Sequence, residues 1–421
     1  MAVRQGINSA HLKSRNRGLV LQQIASGSIS RAAIARQIGL TKMTVTNLVG
    51  ELIEAGVVQE KAAAGGTAVG RSPVPLAVAP HAPKVAGLYI ARETAGMILT
   101  DLQLRVLASR TVPLAEETAD TLRGKLFRLA DEALRAAGGD PVAGIGVSAI
   151  GPLDPHNGVL LRPAAFFGIT DFPVAALLAE RYALPVQVLN DMNAAALAEK
   201  LFGAGRELDN FLYVGISNGI GAGIISGGRL YRDTSGYAGE IGHMCINFDG
   251  PVCPCGSRGC LETYANMPVL LARLRQAVGK PVSTADFAAL EGDPACAAVF
   301  RDTADKLAAA LVNAANLFDP QCIFLGHEAV FLPQSCLARI AGQLERHTLA
   351  AGYQKIPLLL SAFTMAEEKT LALETRGFNC SAPKTRVRLV QDSKKQKTVR
   401  VAMVAVTVVV CLIGGYFRWL A

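Results

Sequence analysis

No charged-then-apolar leader opens the chain, and without one the body is expected to stay in the cytoplasm. Acidic residues are nearly missing from both ends. Residues 1–79 hold nine Lys/Arg against three Glu, and residues 381–421 hold eight against one Asp. Since the whole chain is only +8, the stretch between them is net acidic. Charge placed this way points to nucleic acid at one end and to a different partner at the other. Apolar residues, by contrast, are plentiful at 51% of 421. That suffices for two or three domains with sizeable cores.

The segment Gly236 to Tyr264 is short of apolar residues but rich in sulfur. It holds His243 and four of the nine cysteines, and Cys253, Cys255 and Cys260 fall within eight residues of Pro/Gly-rich loop. A loop with no core of its own is most simply shaped by a metal. Three cysteines with one histidine are a standard tetrahedral Zn2+ set. The residues alone leave open a cluster of buried or disulfide-bonded cysteines, although a reducing compartment disfavours the disulfides.

The order Glu240-Ile-Gly-His243 followed by Cys253-Pro-Cys255-Gly-Ser-Arg-Gly-Cys260-Leu-Glu262 resembles the signature of the ROK family of repressors and sugar kinases. The resemblance extends from about residue 15 to about residue 360. It implies that His243 binds zinc through one ring nitrogen and faces a sugar with the other, so that zinc shapes a pocket and does no chemistry. Cys245 matches no ligand position and is expected to be a packed thiol. The resemblance also places Asn190, Asp191, Glu240, His243 and Glu262 around sugar hydroxyls. Asp191 takes the place of the base that accepts a hydroxyl proton during phosphoryl transfer. The residues by themselves also allow Asn190-Asp191 to do no more than end a strand and cap the next helix.

Kinases of this family open with an Asp-x-Gly-x-Thr turn that holds ATP phosphates. Here Tyr89, Ala91 and Glu93 stand at those positions. A tyrosine is no carboxylate, an alanine hinders close backbone approach, and a glutamate repels a triphosphate. Gly219, Gly221 and Gly223 remain, but a tight hairpin needs them equally. A loop that usually lends an asparagine to the sugar reads Arg162-Pro-Ala-Ala-Phe-Phe-Gly168, with alanine in its place. Asp191 is therefore expected to be a vestigial base, and no catalytic residue is expected.

The head, residues 1–79, reads as a winged helix-turn-helix. Leu19, Val20 and Ile24 give a helical period over Arg17–Ala25. Ser30 caps a helix burying Ile34, Ala35 and Ile38, which Gly39 ends. Thr41 caps a third helix, Lys42–Ala55, whose Val45, Leu48, Val49 and Leu52 face inward. In this motif the start of the second paired helix enters the major groove. Lys42, Thr44, Thr46 and Asn47 are the outward residues there, suited to phosphates and base edges. Val57–Gln59 and Leu76–Val78 are expected as wing strands, with Arg71 between them placed to reach a minor groove. An ordinary three-helix interaction module is the alternative, and the polar, basic outer face speaks against it.

A short linker at 80–83 leads into residues 80–355, where strands alternate with helices. The strands are Val85–Ala91, Gly96–Leu102, Arg105–Thr111, Val142–Val147, Val186–Leu189, Phe211–Val214 and Cys322–Gly326. The helices are Thr121–Ala137, Ala194–Phe202 and Thr303–Leu317. Two similar halves of this kind predict an α/β fold. The resemblance makes it a two-lobed actin-like, ribonuclease-H-like fold of the ATPase/sugar kinase type.

The tail, 356–421, departs from this pattern. Val401–Phe417 is uncharged and mostly apolar over seventeen residues, the lower limit for a transmembrane helix. Lys394, Lys395, Lys397 and Arg400 before it, with Tyr416 and Trp419 at its far side, orient such a span with the bulk cytoplasmic. Through Leu-Ala-x-Glu-x-Arg-Gly-Phe at 371–378, the tail resembles the end of the T component of energy-coupling-factor transporters. A gene fusion or frameshift with its junction near 350–365 is the expected origin, and a buried core helix is the alternative for 401–417. The chain as a whole is expected to be a sugar-responsive transcriptional repressor that binds operator DNA as a homodimer or homotetramer. Its expected ligands are Zn2+ and a sugar or sugar phosphate, with membrane association through the tail. The alternative is an ATP-dependent sugar kinase of the glucokinase or N-acetylhexosamine kinase type.

Overall fold

The computed structural model describes residues 9–25, 27, 29–61, 74–231 and 236–361. One compact unit ends at Asn190 and a second begins at Asp191. The first opens with α1 (Ser9–Ala25), β1 (Ile29–Ser30), α2 (Arg31–Ile38), α3 (Lys42–Glu54), β2 (Val58–Glu60) and β3 (Pro75–Val78). Its turns follow from local chemistry. The Ser30 hydroxyl accepts the Ala33 N–H at 3.3 Å, Gly39 ends α2 at φ 68°, and Thr41 Oγ1 accepts the Thr44 N–H at 3.1 Å. Val45, Leu48, Val49 and Leu52 of α3 are buried, as their spacing predicts. The wing strands fall within a residue of expectation and form a sheet in the order β1-β3-β2. The short β1 is an addition. Arg71 lies outside the described residues.

The linker at 80–83 is fastened rather than loose. Ala82 is buried, and Lys84 reaches the Ala82 carbonyl at 3.0 Å and Asp140 at 2.9 Å. Val85, Leu102 and Ala143 join the same apolar core as Val20, Ile24, Val45 and Leu52, so the head and the sheet behind it share one core.

That sheet is built from β4 (Lys84–Ile90), β5 (Thr94–Thr100), β6 (Val106–Pro113), β7 (Val142–Ala149) and, past a β8–β9 hairpin (Leu153–Asp154, Val159–Leu160), β10 (Val186–Asn190). The order is β10-β7-β4-β5-β6, antiparallel across β4-β5-β6 and parallel across β4-β7-β10. Helices α4 (Ala119–Arg135) and α5 (Val174–Tyr182) connect its strands. Helix α4 buries Leu122, Leu126, Leu129 and Ala133 along one stripe.

The second unit repeats this plan. Helix α6 (Asp191–Phe202) is followed by β11 (Phe211–Ile216), β12 (Ile220–Ser226) and β13 (Arg229–Leu230). Helices α7 (Glu262–Ala265), α8 (Met267–Val278), α9 (Phe287–Leu290) and α10 (Pro294–Phe318) come next, then β14 (Cys322–His327), α11 (Gln334–His347) and β15 (Leu358–Leu360). The order is β13-β12-β11-β14-β15, again an antiparallel meander beside parallel strands. Helix α10 starts nine residues earlier than its apolar period predicts, because Asp293 caps the Cys296 N–H at 2.9 Å and Pro294 occupies the first turn. No helix among the described residues is long and apolar enough to cross a membrane. The expected span at 401–417 and the transporter-like run at 371–378 lie outside the described residues.

Candidate functional site

The short 3-10 turn Ile241–His243 and the loop that ends at α7 bring four donors together. One atom each from His243, Cys253, Cys255 and Cys260 lies within 4.8 Å of all the others. Cys255 Sγ is 3.7 Å from Cys260 Sγ, and Cys253 Sγ is 3.7 Å from His243 Nδ1. A tetrahedron with Zn–S bonds of about 2.3 Å has sulfur–sulfur edges of about 3.8 Å, so the donor set fits zinc in chemistry and the Cys255–Cys260 edge fits it in length. Backbone bonds hold the loop's shape, from Cys253 N–H to Ser257 O at 2.8 Å and from Gly256 N–H to Cys253 O at 2.9 Å. Burial pushes the Cys253 thiol up to about 12 and raises Cys260 as well. The Ser257 N–H, pointing at sulfur, brings Cys255 down to about 6. Cys245, expected to be a packed thiol, is instead exposed.

His243 has two faces. Its Nδ1 lies against Cys253 and 3.6 Å from Glu262 Oε1, while its Nε2 is 4.0 Å from Glu240 Oε2. Glu262 Oε1 also accepts from the Cys253 thiol at 3.3 Å. Partial burial, then the neighbouring Glu262 carboxylate, raise the Glu240 carboxyl, and His243 opposes them. The second unit thus gathers Glu240, His243, Glu262 and the three thiols. Asp191 opens α6, where its Oδ1 accepts the Met192 N–H at 2.9 Å, and its charge also reaches Tyr213. Asn190 closes β10 in the first unit, its Nδ2 beside Gly151. In the loop expected to lend an asparagine, Ala165 and Phe167 adopt left-handed backbone at φ 52° and 53°. Asparagine tolerates that conformation better than either.

Tyr89, Ala91 and Glu93 occupy the end of β4 and its turn into β5. Tyr89 turns its hydroxyl to Thr111 Oγ1 at 2.9 Å on β6. Gly221 and Gly223 of β12 sit under α6. A Cβ on Gly221 would stand 3.0 Å from Met192 Cγ, and one on Gly223 2.6 Å from Ala196 Cβ. Helix packing accounts for these glycines without a phosphate.

At the head, Lys42, Thr46 and Asn47 are exposed and Thr44 is half-buried. The Thr46 hydroxyl donates to the Lys42 carbonyl at 2.8 Å, and Thr44 Oγ1 is 2.8 Å from Thr41 Oγ1. Met43, not singled out from sequence, is 70% exposed beside Lys42 and has the apolar character that suits a thymine methyl. Its place at the start of α3 was a signal that its apolar character hid. Three basic residues are engaged internally: Lys13 and Arg17 with Glu51 at 2.7 and 3.5 Å, and Arg31 with Glu60 at 2.7 Å.

Comparison with known proteins extends these observations. A model of the ROK family matches residues 85–362, and a model of winged helix-turn-helix DNA-binding domains matches residues 15–59. The xylose repressor of Caldicellulosiruptor bescii is 31% identical over 375 residues, covering 84% of this chain and 93% of that protein. The DNA-binding transcriptional dual regulator NagC of Escherichia coli is 30% identical over 348 residues, covering 80% and 85%. The crystal structure of a ROK family transcriptional regulator, a homologue of the E. coli MLC protein, superposes with a TM-score of 0.75 at 26% identity. It covers 97% of this chain and 98% of that one. The likeness of the tail to a transporter component gains no support from these matches.

Proposed function

The chain belongs to the ROK family, and on that premise we propose that it is a DNA-binding repressor of sugar-metabolism genes, released from its operator by a sugar or sugar phosphate. One observation carries this: a single chain joins a capped helix α3, with Lys42, Thr46 and Asn47 exposed along it, to a histidine set between a thiol cluster and two carboxylates. Lys42, Thr44, Thr46 and Asn47 contact the operator, with Arg71 at the wing. His243, Cys253, Cys255 and Cys260 hold Zn2+, which when bound supplies a rigid frame for the loop. Asn190, Asp191, Glu240, His243 and Glu262 pair with sugar hydroxyls. Two copies read a roughly palindromic site as a homodimer, alone or within a homotetramer.

Phosphoryl transfer is not part of this function. It depends on holding phosphate charge in line, and Tyr89 and Glu93 offer nothing that does so. Xylose, and N-acetylglucosamine, for which a relative in Escherichia coli O6:H1 is named a repressor, are the first effectors to try. The tail carries a separate proposal, membrane attachment through 401–417, which resistance of the full-length chain to a carbonate wash would support and a wholly soluble chain would refute.

The test is fluorescence anisotropy with labelled DNA from promoters beside the gene, titrated with xylose, glucose, N-acetylglucosamine and their phosphates. Binding that prefers one promoter and is reversed by one sugar is expected. Equal affinity for random duplexes, or turnover of a sugar with ATP that Asp191→Ala removes, would overturn it.

A further inference from the structure

Of the four thiols in the metal loop, Cys245 is the one outside the donor set, and it is exposed. Its backbone partner is nonetheless a ligand. Cys245 and Cys260 face each other in an antiparallel bridge, flanked by Ile246 N–H to Gly259 O and Leu261 N–H to Met244 O, both at 2.9 Å. With the hydrogen bonds on the flanking residues, the cysteines form a non-hydrogen-bonded pair. Such pairs hold their Cα atoms about 4.5 Å apart with side chains on one face. Disulfides span Cα separations of about 4.4–6.8 Å. A pair of this type falls within the disulfide range, so its backbone spacing suits closure by side-chain rotation.

We propose that Cys245 and Cys260 are a redox pair, closed to a disulfide by hydroperoxides with loss of the metal. The Cys245 sulfur attacks one peroxide oxygen, the O–O bond breaks, and the leaving hydroxide takes a proton to become water. The resulting sulfenic acid is attacked by the Cys260 thiolate as that thiolate leaves the metal. The S–S bond forms, the S–O bond breaks, and the second hydroxide is protonated to water. Two thiols are oxidised and one hydroperoxide is reduced, to two waters when it is hydrogen peroxide itself. With Cys260 taken into the disulfide, only His243, Cys253 and Cys255 would remain to hold a zinc ion, and its hold would be lost. A dithiol reverses the link and restores the set. The release of the ion rests on the proposed zinc site; the pairing of the two sulfurs does not.

The experiment treats the full-length reduced protein with hydrogen peroxide. It follows zinc with a chromophoric chelator and maps disulfides by mass spectrometry without reduction. Loss of one zinc and two free thiols per chain, with a peptide linking Cys245 to Cys260, is expected. Cys245→Ser, and Cys245→Thr as a second variant, should keep their zinc under the same exposure. A Cys245 still open to alkylation after the zinc has left, or variants that lose zinc as fast as wild type, would overturn the proposal. Reduced protein without zinc would refute the metal assignment alone, and the peptide map would still decide the pairing.

Discussion

The ring of Tyr89 lies over Gly96 on the neighbouring strand, where a Cβ would stand 2.6 Å from Cζ and 2.8 Å from the hydroxyl. β4 and β5 pair the two residues directly, and the hydroxyl continues to Thr111 on the strand beyond. A side chain laid across its own sheet does not project toward a nucleotide. The position at which the resemblance leads one to expect a carboxylate is here a packing position, with a glycine opposite that accommodates the ring.

Gly96→Ala should therefore destabilise the first unit by about 1–3 kcal/mol, the usual range for overpacking. Tyr89→Ala in the same chain should recover part of that loss. Denaturation midpoints for the two single variants and the double variant decide it; strict additivity would show that the residues do not interact.

Asp140 anchors the buried Lys84 at 2.9 Å and His81 at 3.0 Å where the head meets the first sheet. Both contacts, Lys84 first, hold its carboxyl below the usual aspartate range. A lowered native value means that stabilisation is complete above the ordinary aspartate value of about 3.9 and drains as pH falls through the lower folded one. Asp140→Asn should lower the melting temperature at neutral pH, lose that acid-labile share, and be partly rescued by Lys84→Met, which removes the stranded charge. Identical pH profiles for wild type and Asp140→Asn would defeat this.

Local signals account for what was legible in the sequence. Ser30, Gly39 and Thr41 announce the helix ends of the head through bonds spanning three or four residues, and the pattern of α3 announces its core. The two-residue strands β1, β8 and β9 and the short α5 carry too little pattern to be seen. Asp293-Pro294 did signal the true start of α10, ahead of its apolar period. The grouping of His243, Cys253, Cys255 and Cys260 was legible because they cluster in sequence. The exposure of Cys245 and its pairing with Cys260, like the fit of Tyr89 on Gly96, arise between strands and have no local signature.

On the DNA side, Lys42→Ala should weaken binding to all duplexes and reduce the slope of log affinity against log salt by about 1. Asn47→Ala should instead narrow the gap between operator and random sequence. Met43→Ala, if the methyl contact exists, should cost affinity only for operators with thymine at one position. Anisotropy on a panel of single-base operator variants separates the three.

Zinc loading should release protons. In the metal-free loop, burial keeps Cys253 and Cys260 as thiols near neutral pH, while Cys255, at about 6, is mostly thiolate. Binding needs three thiolates, so about two protons leave per zinc and affinity climbs with pH on a slope of about two. Calorimetry in buffers of different ionisation heat reads the number directly. Release of no protons would mean that these sulfurs are not the ligands.

Glu262 tests whether the metal and the sugar can be told apart. Its Oε1 accepts from the Cys253 thiol and stands 3.6 Å from His243 Nδ1, so it touches two of the proposed zinc donors and is not itself one of that set. Its contact with Cys253 favours the protonated sulfur, adding to burial in raising that thiol. Protons and zinc compete for the same sulfur, so the carboxylate works against the metal. Glu262→Gln replaces an acceptor by an amide that can donate to sulfur and favour the thiolate. Zinc should then be held at least as tightly as in wild type, measured against a competing chelator. The sugar response should nevertheless disappear, because a carboxylate that accepts from hydroxyls is lost. Cys255→Ser should lose both zinc and response, and Glu240→Ala the response alone. Zinc lost from Glu262→Gln would show that this residue serves the metal loop, and its assignment to the sugar would fail.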